Sequence, residues 1–410
     1  MDNIKKQDLN FHYDELEYEY RYDSRYDLTA DGRMDKTIFI AVPCYRDEDV
    51  INTVESAYLN AKNPDRIFFG IAVIYKEGDD PYWLKLDEYE NVKYDLKLST
   101  MDTVGLGRQR ETANSMFADQ DYYLQIDAHM RFDMHWDDLL IHHIENLKIL
   151  GEQKPLITGY PRAFAPDGPY VVEGHYPFYN RMSKELYFRE KSGSNHVPGF
   201  RTGRTPAEFF KEYGFLRHGD RHFAKHEVLA LAKTVSPAQI FVDGSFVRDV
   251  PANPDIRFLE EEQYYSILAF MQGYNFYVPK VTGIMHYYAN AGDQVLINRN
   301  SPMQEFPDAF THESYSENNL GGIQIFKDLQ SMKKTARSFK DYEEFAHVDY
   351  NKRVMKAPVD RVYQNKITAA INFMVEINNY SVGDYSEWMY NPSYMFYEDV
   401  IRNETPQQKE

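Results

Sequence analysis

From residue 37 to residue 150, unbroken apolar runs alternate with stretches in which apolar positions recur every three to four residues. The runs read as strands buried on both faces and the stretches as amphipathic helices. Thr37 to Pro43 is the first such strand, bounded by Pro43. A helix follows from about Asp49 to Ala61, then a strand from Arg66 to Tyr75 and an alternating strand from Val92 to Leu98. Gly105 and Gly107 open a helix from about Arg108 to Phe117. Tyr122 to Ile126 is the next strand and Trp136 to Leu150 the next helix. This alternation predicts an α/β fold with a doubly wound, mostly parallel sheet flanked by helices. Ligands of such sheets sit beyond the carboxyl ends of the strands.

The rhythm then changes. Residues 175–235 read as an insertion of loops and short helices. Ile240 to Val247 returns to strand character, Glu261 to Gln272 to helix, and Tyr277 to Met285 to extended chain. Residues 305–410 read as a helical extension, with Thr368 to Ile377 its clearest amphipathic piece. Residues 1–35 hold ten acids, five bases and five tyrosines and little apolar material, the pattern of an exposed arm. The expected organisation is therefore an arm over 1–35, a main domain over 36–304 and a helical extension over 305–410.

Composition narrows the function classes. The formal net charge of −18 opposes indiscriminate coating of nucleic acid, although a local basic groove remains compatible with it. Cys44 is the only cysteine, so an internal disulfide is impossible. No apolar run is long enough to span a bilayer, and no apolar stretch follows Met1 to Lys6. The expectation is a cytoplasmic protein without a membrane partner.

The sharpest local signal is Asp127-Ala128-His129 at the end of the Tyr122–Ile126 strand. Two residues apart on an extended chain, the two side chains point the same way. A carboxylate and an imidazole there can share one divalent cation, and that cation can hold a diphosphate. The same pair also suits a purely structural turn.

Further segments in fixed order weigh on that choice. They are Ile38 to Glu48, Ala61 to Ile71, Tyr122 to Phe132, Trp136-Asp137, Thr158-Gly159-Tyr160-Pro161, Phe241 to Arg248, Glu261-Glu262 and Gly273 to Pro279. A later element, Phe345 to Tyr350, completes the set. Together they resemble the GlcNAc-transferase family typified by the cytosolic hydroxyproline GlcNAc-transferases of protists, which is itself similar to the mucin-type polypeptide GalNAc-transferases. The resemblance implies a GT-A fold, a nucleotide-sugar donor, a divalent ion (Mn2+ or Mg2+) and retention at the sugar carbon. It implies that Asp127, His129 and His286 ligate the ion. It places Arg46, Asp47, Arg108, Arg110 and Asp127 at the donor and Glu261 and Glu262 at the catalytic centre. Trp136 and Asp243 are weaker candidates for acceptor contacts. Gly105-Leu106-Gly107-Arg108 departs from the bulkier family pattern at this point, which leaves the sugar open.

Structural alternatives stand beside these roles. Asp47 also suits a turn acid paired with Arg46, and acids are favoured in a first helical turn, where Glu261 and Glu262 fall. The acceptor is the least determined part. Residues 201–226 hold six Arg and Lys against three acids. Arg201, Arg204, Arg217 and Arg221 could hold phosphates, with Phe209, Phe210 and Phe215 stacking nearby. His218, His222 and His226 would share a face if this stretch were helical. Three readings follow: transfer to a protein hydroxyl, transfer to a hydroxymethylated base in DNA inside a phage-infected host, or an inactive sugar- or protein-binding module. The oligomeric state is open.

Overall fold

The computed structural model describes residues 35–103, 105–166, 175–180, 185–190, 195–200, 204–213, 216, 218–224, 227–258, 260–288, 302–307, 320–355 and 364–377. All of the expected N-terminal arm except Asp35 lies outside them, as do Arg201, Arg217, Phe215 and His226.

An eight-stranded sheet is the frame. With strands numbered along the chain, its order across the sheet is Leu229–Leu231 (β12), Asn275–Pro279 (β14), Pro155–Thr158 (β6), Gln239–Asp243 (β13), Tyr122–Ile126 (β4), Ile38–Tyr45 (β1), Ile67–Tyr75 (β2) and Val92–Leu98 (β3). β3, β2, β1 and β4 are mutually parallel. β13 runs against both β4 and β6, and β12 runs against β14. The sheet is therefore mixed, with its parallel half made by the apolar runs of the N-terminal part.

β1 is buried on both faces, which is why it reads as a continuous apolar run. It passes through Pro43 and continues to Tyr45, contrary to the expected end at Pro43. The physical reason is local. β4 pairs with β1 only as far as Ala41, so the N–H that proline lacks faces a side where no strand needs it.

Two cores cover the two faces. Helices α1 (Val50–Asn60) and α3 (Trp136–Ile149) pack one face through Val50, Val54, Ala57, Leu140, Ile141 and Ile144. The helix α2 (Leu106–Asn114) covers the other, joined there by Glu261–Met271, which becomes α6 after α4 (Arg204–Tyr213) and the short α5 (Phe246–Asp249). A one-turn α7 (Pro302–Glu305) precedes α8 (Leu320–Ser331) and α9 (Phe339–Ala346). α8 and α9 bury Ile325, Phe326, Leu329 and Tyr342 in the same core as α6, so the helices of the expected extension share the main core. A two-stranded hairpin, Val348–Asp349 with Val354–Met355, interrupts this helical region. α10 (Lys366–Ile377) closes the β12 edge: Asn372 accepts from Val228 N and Leu229 N and donates to Leu229 O. No helix among the described residues is long and apolar enough to cross a membrane.

A second, five-stranded sheet sits at the carboxyl rim. Its order is Met130–Phe132 (β5), Ile284–His286 (β15), Arg162–Pro166 (β7), Glu185–Glu190 (β9) and His175–Asn180 (β8). The stretch expected to hold loops and short helices thus contributes a β-hairpin, followed by a small pair, Val197–Phe200 (β10) with His218–Arg221 (β11). His218 lies on that strand, so the condition for a shared helical histidine face is not met.

Candidate metal and donor site

Asp127 follows the last residue of β4, and His129 precedes β5. β15 pairs antiparallel with β5, setting His286 opposite Met130 and beside His129. Tyr287 N donates to His129 O at 3.1 Å and locks that register. The turn is held from below by α1. Thr53 Oγ1 donates to Ala128 O at 2.7 Å and accepts from Met130 N at 2.9 Å. Arg131 forks onto Asp49 at 2.7 and 2.9 Å. A chain that must leave β4, turn and enter a second sheet is thereby fixed at each step.

Three ligand atoms converge. His129 Nε2 lies 3.1 Å from His286 Nε2, and His286 Nε2 lies 3.2 Å from Asp127 Oδ2. Their rear atoms are occupied or enclosed. His129 Nδ1 donates to Asp47 Oδ2 at 2.9 Å, which puts the proton on Nδ1 and the lone pair on Nε2. Arg110 Nη2 donates to Asp127 Oδ1 at 3.1 Å. His286 Nδ1 is buried without a hydrogen-bond partner among the described residues. Imidazole nitrogens and a carboxylate oxygen at this separation repel unless a proton or a cation lies between them. An octahedral ion bound at about 2.1 Å separates neighbouring ligand atoms by about 3.0 Å, which the two edges at His286 match, and the three atoms together could hold one divalent cation. These three residues also form the one possible cation-holding group of His, Cys, Asp and Glu among the described residues. Asp127 keeps 27% of its side-chain exposure, which leaves the triangle open to solvent.

Behind the triangle the charges are unequal. Arg110 is buried and spends its guanidinium on Glu261 Oε1 at 2.9 Å, Ile126 O at 2.6 Å, Asp127 Oδ1 and Pro237 O. One guanidinium faces two carboxylates. Burial pushes the Glu261 carboxyl up to about 7; Arg110 opposes this and Asp127 adds to it. Glu262, the more open of the pair, accepts from Tyr160 Oη at 2.5 Å. The Tyr288 ring lies tilted against that of His286 with centroids 4.1 Å apart, and its hydroxyl donates to Pro161 O at 2.7 Å. Tyr160 and Glu262 therefore stand along the same wall as the triangle.

Several expected contacts take other positions. Arg110, expected at the donor, is a sealed brace for Asp127 and Glu261. Glu261, expected at the catalytic centre, is the buried partner of that brace. Arg108 is exposed. The N–H groups of Leu106 and Gly107 at the start of α2 are given to Arg257 O and Ile256 O, so they are not open to phosphate. A Cβ at Gly107 would meet Asn253 O at 1.9 Å, which explains glycine there. Arg46 forks onto Asp79 at 2.6 and 2.8 Å and reaches Glu305 at 3.0 Å, and Asp47 serves His129.

Two acceptor candidates are misplaced. Trp136 is fully buried with Nε1 donating to Ala57 O, because the first turn of α3 packs on α1. Asp243 pairs with Lys148 and lies opposite Tyr122, at the far end of β4 from Asp127, because β13 runs backwards. Of the basic stretch, Arg221 is forked onto Glu227 at 2.6 and 2.8 Å, Arg204 starts α4 and Phe210 is core. Sequence reasoning passed over Tyr160, Tyr288, Asp79 and Glu305. Tyr160 lay inside the Thr-Gly-Tyr-Pro segment and was the one with a visible signal.

A family model described as Glycosyltransferase (GlcNAc) matches residues 37–104 and 97–384. No curated protein matches the chain. Among solved structures, GalNAc-T7 with UDP, GalNAc and Mn2+ is similar at 12% identity and a TM-score of 0.43, over 77% of this chain and 55% of that one. TarS of S. aureus (residues 1–349) with UDP is similar at 10% identity and 0.39, over 76% and 70%. The same TarS fragment with UDP-GlcNAc gives 11% and 0.38, over 77% and 72%. The chain thus spans about half of the GalNAc-T7 chain.

Proposed function

Since the chain belongs to the GlcNAc glycosyltransferase family, we propose that it moves a sugar from a UDP-linked, GlcNAc-like donor to an acceptor hydroxyl, with retention and with a divalent ion. The single observation that carries this reading is the convergence of Asp127 Oδ2, His129 Nε2 and His286 Nε2 at an open sheet rim. Asp127, His129 and His286 would hold Mn2+ or Mg2+. When bound, such an ion neutralises charge on the departing diphosphate.

The protein's own groups prepare that event. Asp47 holds the His129 tautomer and Arg110 holds the rear oxygen of Asp127. Glu262 and Tyr160 supply a polar wall for sugar or acceptor hydroxyls. Glu261 does not serve as a general base, because its carboxylate is sealed against Arg110. The acceptor proton goes instead to the leaving phosphate.

For the acceptor we favour a polypeptide hydroxyl. Arg221, a candidate phosphate contact, is consumed by Glu227. Glu262 on the site wall would repel a phosphodiester strand.

The deciding experiment is donor hydrolysis across a panel of nucleotide sugars with Mn2+, run beside thermal shift with UDP and metal. Stabilisation by UDP with Mn2+ is expected, because a ligand of the native state raises the melting temperature. No shift with any nucleoside diphosphate would sink the donor assignment. Turnover on hydroxymethylated DNA, and none on hydroxyproline or Ser/Thr peptides, would replace the acceptor.

A further inference from the structure

The two edges of the main sheet are finished differently. The β12 edge is capped by the Asn372 amide. The β3 edge carries no such cap among the described residues. Asn91 O bonds Phe69 N and Ser99 N bonds Tyr75 O, so the odd positions of β3 turn their main-chain groups toward β2. Val92, Tyr94, Leu96 and Leu98 therefore turn theirs outward. Val92 N is given to Tyr89 O and Leu98 O accepts from Thr103 Oγ1. The N–H and C=O of Tyr94 and Leu96 meet no described residue. Leu96 and Leu98 also keep 37% and 40% exposure. A bare edge with exposed leucines is a template for another strand.

We propose that this edge pairs with β3 of a second copy of the chain, antiparallel, with the two-fold axis at Leu96. The strand reads Lys93-Tyr94-Asp95-Leu96-Lys97-Leu98, and only some registers suit it. Centring on Leu96 sets Leu96 against Leu96, Tyr94 against Leu98 and Asp95 against Lys97, the last two twice over. Opposite charges and apolar side chains then meet directly across the strands. Tyr94, Leu96 and Leu98 also become hydrogen-bonded positions, which uses the outward groups of Tyr94 and Leu96 and, at Leu98, the N–H and the carbonyl lone pair that Thr103 Oγ1 does not use. Centring on Asp95 or on Lys97 opposes like charges. Centring on Tyr94 matches Lys93 with Asp95 but spends Val92, whose N–H is already taken. In the single chain Asp95 and Lys97 pair with each other at 2.9 Å, so the dimer exchanges an exposed local pair for two pairs between chains.

The contact is short. It falls below the roughly 800 Å2 per partner of stable interfaces, so association should be weak, with a dissociation constant in the micromolar range. The two carboxyl rims point in opposite directions, as antiparallel pairing requires.

The test is sedimentation velocity on the full chain over a concentration series. Wild type should associate as concentration rises. Asp95→Lys and Lys97→Asp should each raise the dissociation constant at least tenfold, because each sets like charges together twice. An equimolar mixture of those two variants should recover a heterodimer. Lys93→Asp, which faces Ser99 in this register, should leave association unchanged. Leu96→Cys should form a disulfide dimer under mild oxidation, since the Cα atoms of such a pair lie about 5.5 Å apart. Cys44 will not compete, being fully buried with burial pushing its thiol up to about 12. All four substitutions are at exposed or half-buried positions, and an unchanged thermal midpoint will confirm folding. A wild type that stays monomeric at about 100 µM overturns the proposal. So does a dimer indifferent to the charge changes, or a mixture that fails to recover.

Discussion

The rim formed by β4, β5 and β15 and the rim formed by β1 and β2 both gather charge, and they dispose of it in opposite ways. At the first, Asp47 and Arg110 occupy the rear atoms of His129 and Asp127, and the front atoms of three ligands turn toward one another at 3.1 and 3.2 Å. At the second, Arg46 is forked onto Asp79, Glu305 takes Arg46, Lys76 and the Tyr45 hydroxyl, and opposite charges are spent on each other. A polar cluster that neutralises itself holds chain segments together. One that turns three ligand atoms toward a single point at an open rim suits a cation. The contrast can be broken or sharpened by substitution.

The largest effect should come from the ligands themselves. Asp127→Asn, His129→Ala and His286→Ala should each lower metal-dependent turnover by about 10³-fold or more, the several kcal/mol that a Lewis-acid ion supplies. The fold should survive, because the ligand atoms lie at the rim and the strands beneath are held by Thr53 and Arg131. Steady-state rates against Mn2+ concentration, with circular dichroism as the control, decide it. A variant that keeps its metal dependence removes that residue from the ligand set.

Next is the brace. Arg110→Met leaves the buried Glu261 carboxylate without its cation and beside the half-exposed Asp127, and should cost about 3–5 kcal/mol of stability. Adding Glu261→Gln should recover part of that loss, because one of the two stranded charges is gone. Glu261→Gln alone tests the acid directly. The Glu261 carboxyl rises from its ordinary 4.5 to about 7, so between those values the folded chain holds a proton that the unfolded chain has released. Its contribution to stability therefore falls as pH rises through that window. Melting temperatures of wild type should decline relative to Glu261→Gln from about pH 5 to about pH 7. Parallel curves would mean that Arg110 alone keeps the acid ionised.

A smaller change is expected from Asp47→Asn. The amide no longer enforces the proton on His129 Nδ1, and loss of such a partner typically weakens metal binding by about 10- to 100-fold. Calorimetry with Mn2+ reads this without turnover. An unchanged affinity would return Asp47 to the donor contact that the family resemblance implies.

How much of this was legible follows from what each signal encodes. β1, β2 and β4 and the helices beside them were readable because a strand buried on both faces must be apolar throughout, and a helix against it must be apolar on one side; β3, an edge strand, was readable from its alternation. Asp127 and His129 were readable because a spacing of two on an extended chain is itself a geometry. His286 came from family resemblance alone. Its position depends on the register of β15 against β5, which no local pattern carries. Asp243 was misread because an apolar run has no direction: β13 reverses, and its last residue lands at the wrong rim. Arg110 was misread because an arginine at a helix start looks the same whether it meets a phosphate or two buried acids. Tyr160, between β6 and β7, and Glu262, on α6, meet only in the fold.

The second rim gives the smallest effect and the finest discrimination. Glu305→Gln weakens its pairs with Arg46 and Lys76, while Tyr45 and Asp79 remain. The groups are only partly enclosed, so the loss of stability should stay near or below about 1 kcal/mol. If the cluster merely ties α7 to the strand ends, KM for the donor and kcat should both stay within about twofold of wild type, which is about 0.4 kcal/mol. If Arg46 has a second task at the donor, freeing it from Glu305 should lower the donor KM, and Arg46→Met should raise it with little change in melting temperature. Arg46 is held at φ 50°, a backbone conformation that non-glycine residues rarely adopt. Arg46→Gly therefore separates the two roles of that position: it relieves the backbone while removing the guanidinium. A donor KM that rises equally in Arg46→Met and Arg46→Gly would assign the effect to the lost charge and would join the two rims into one site.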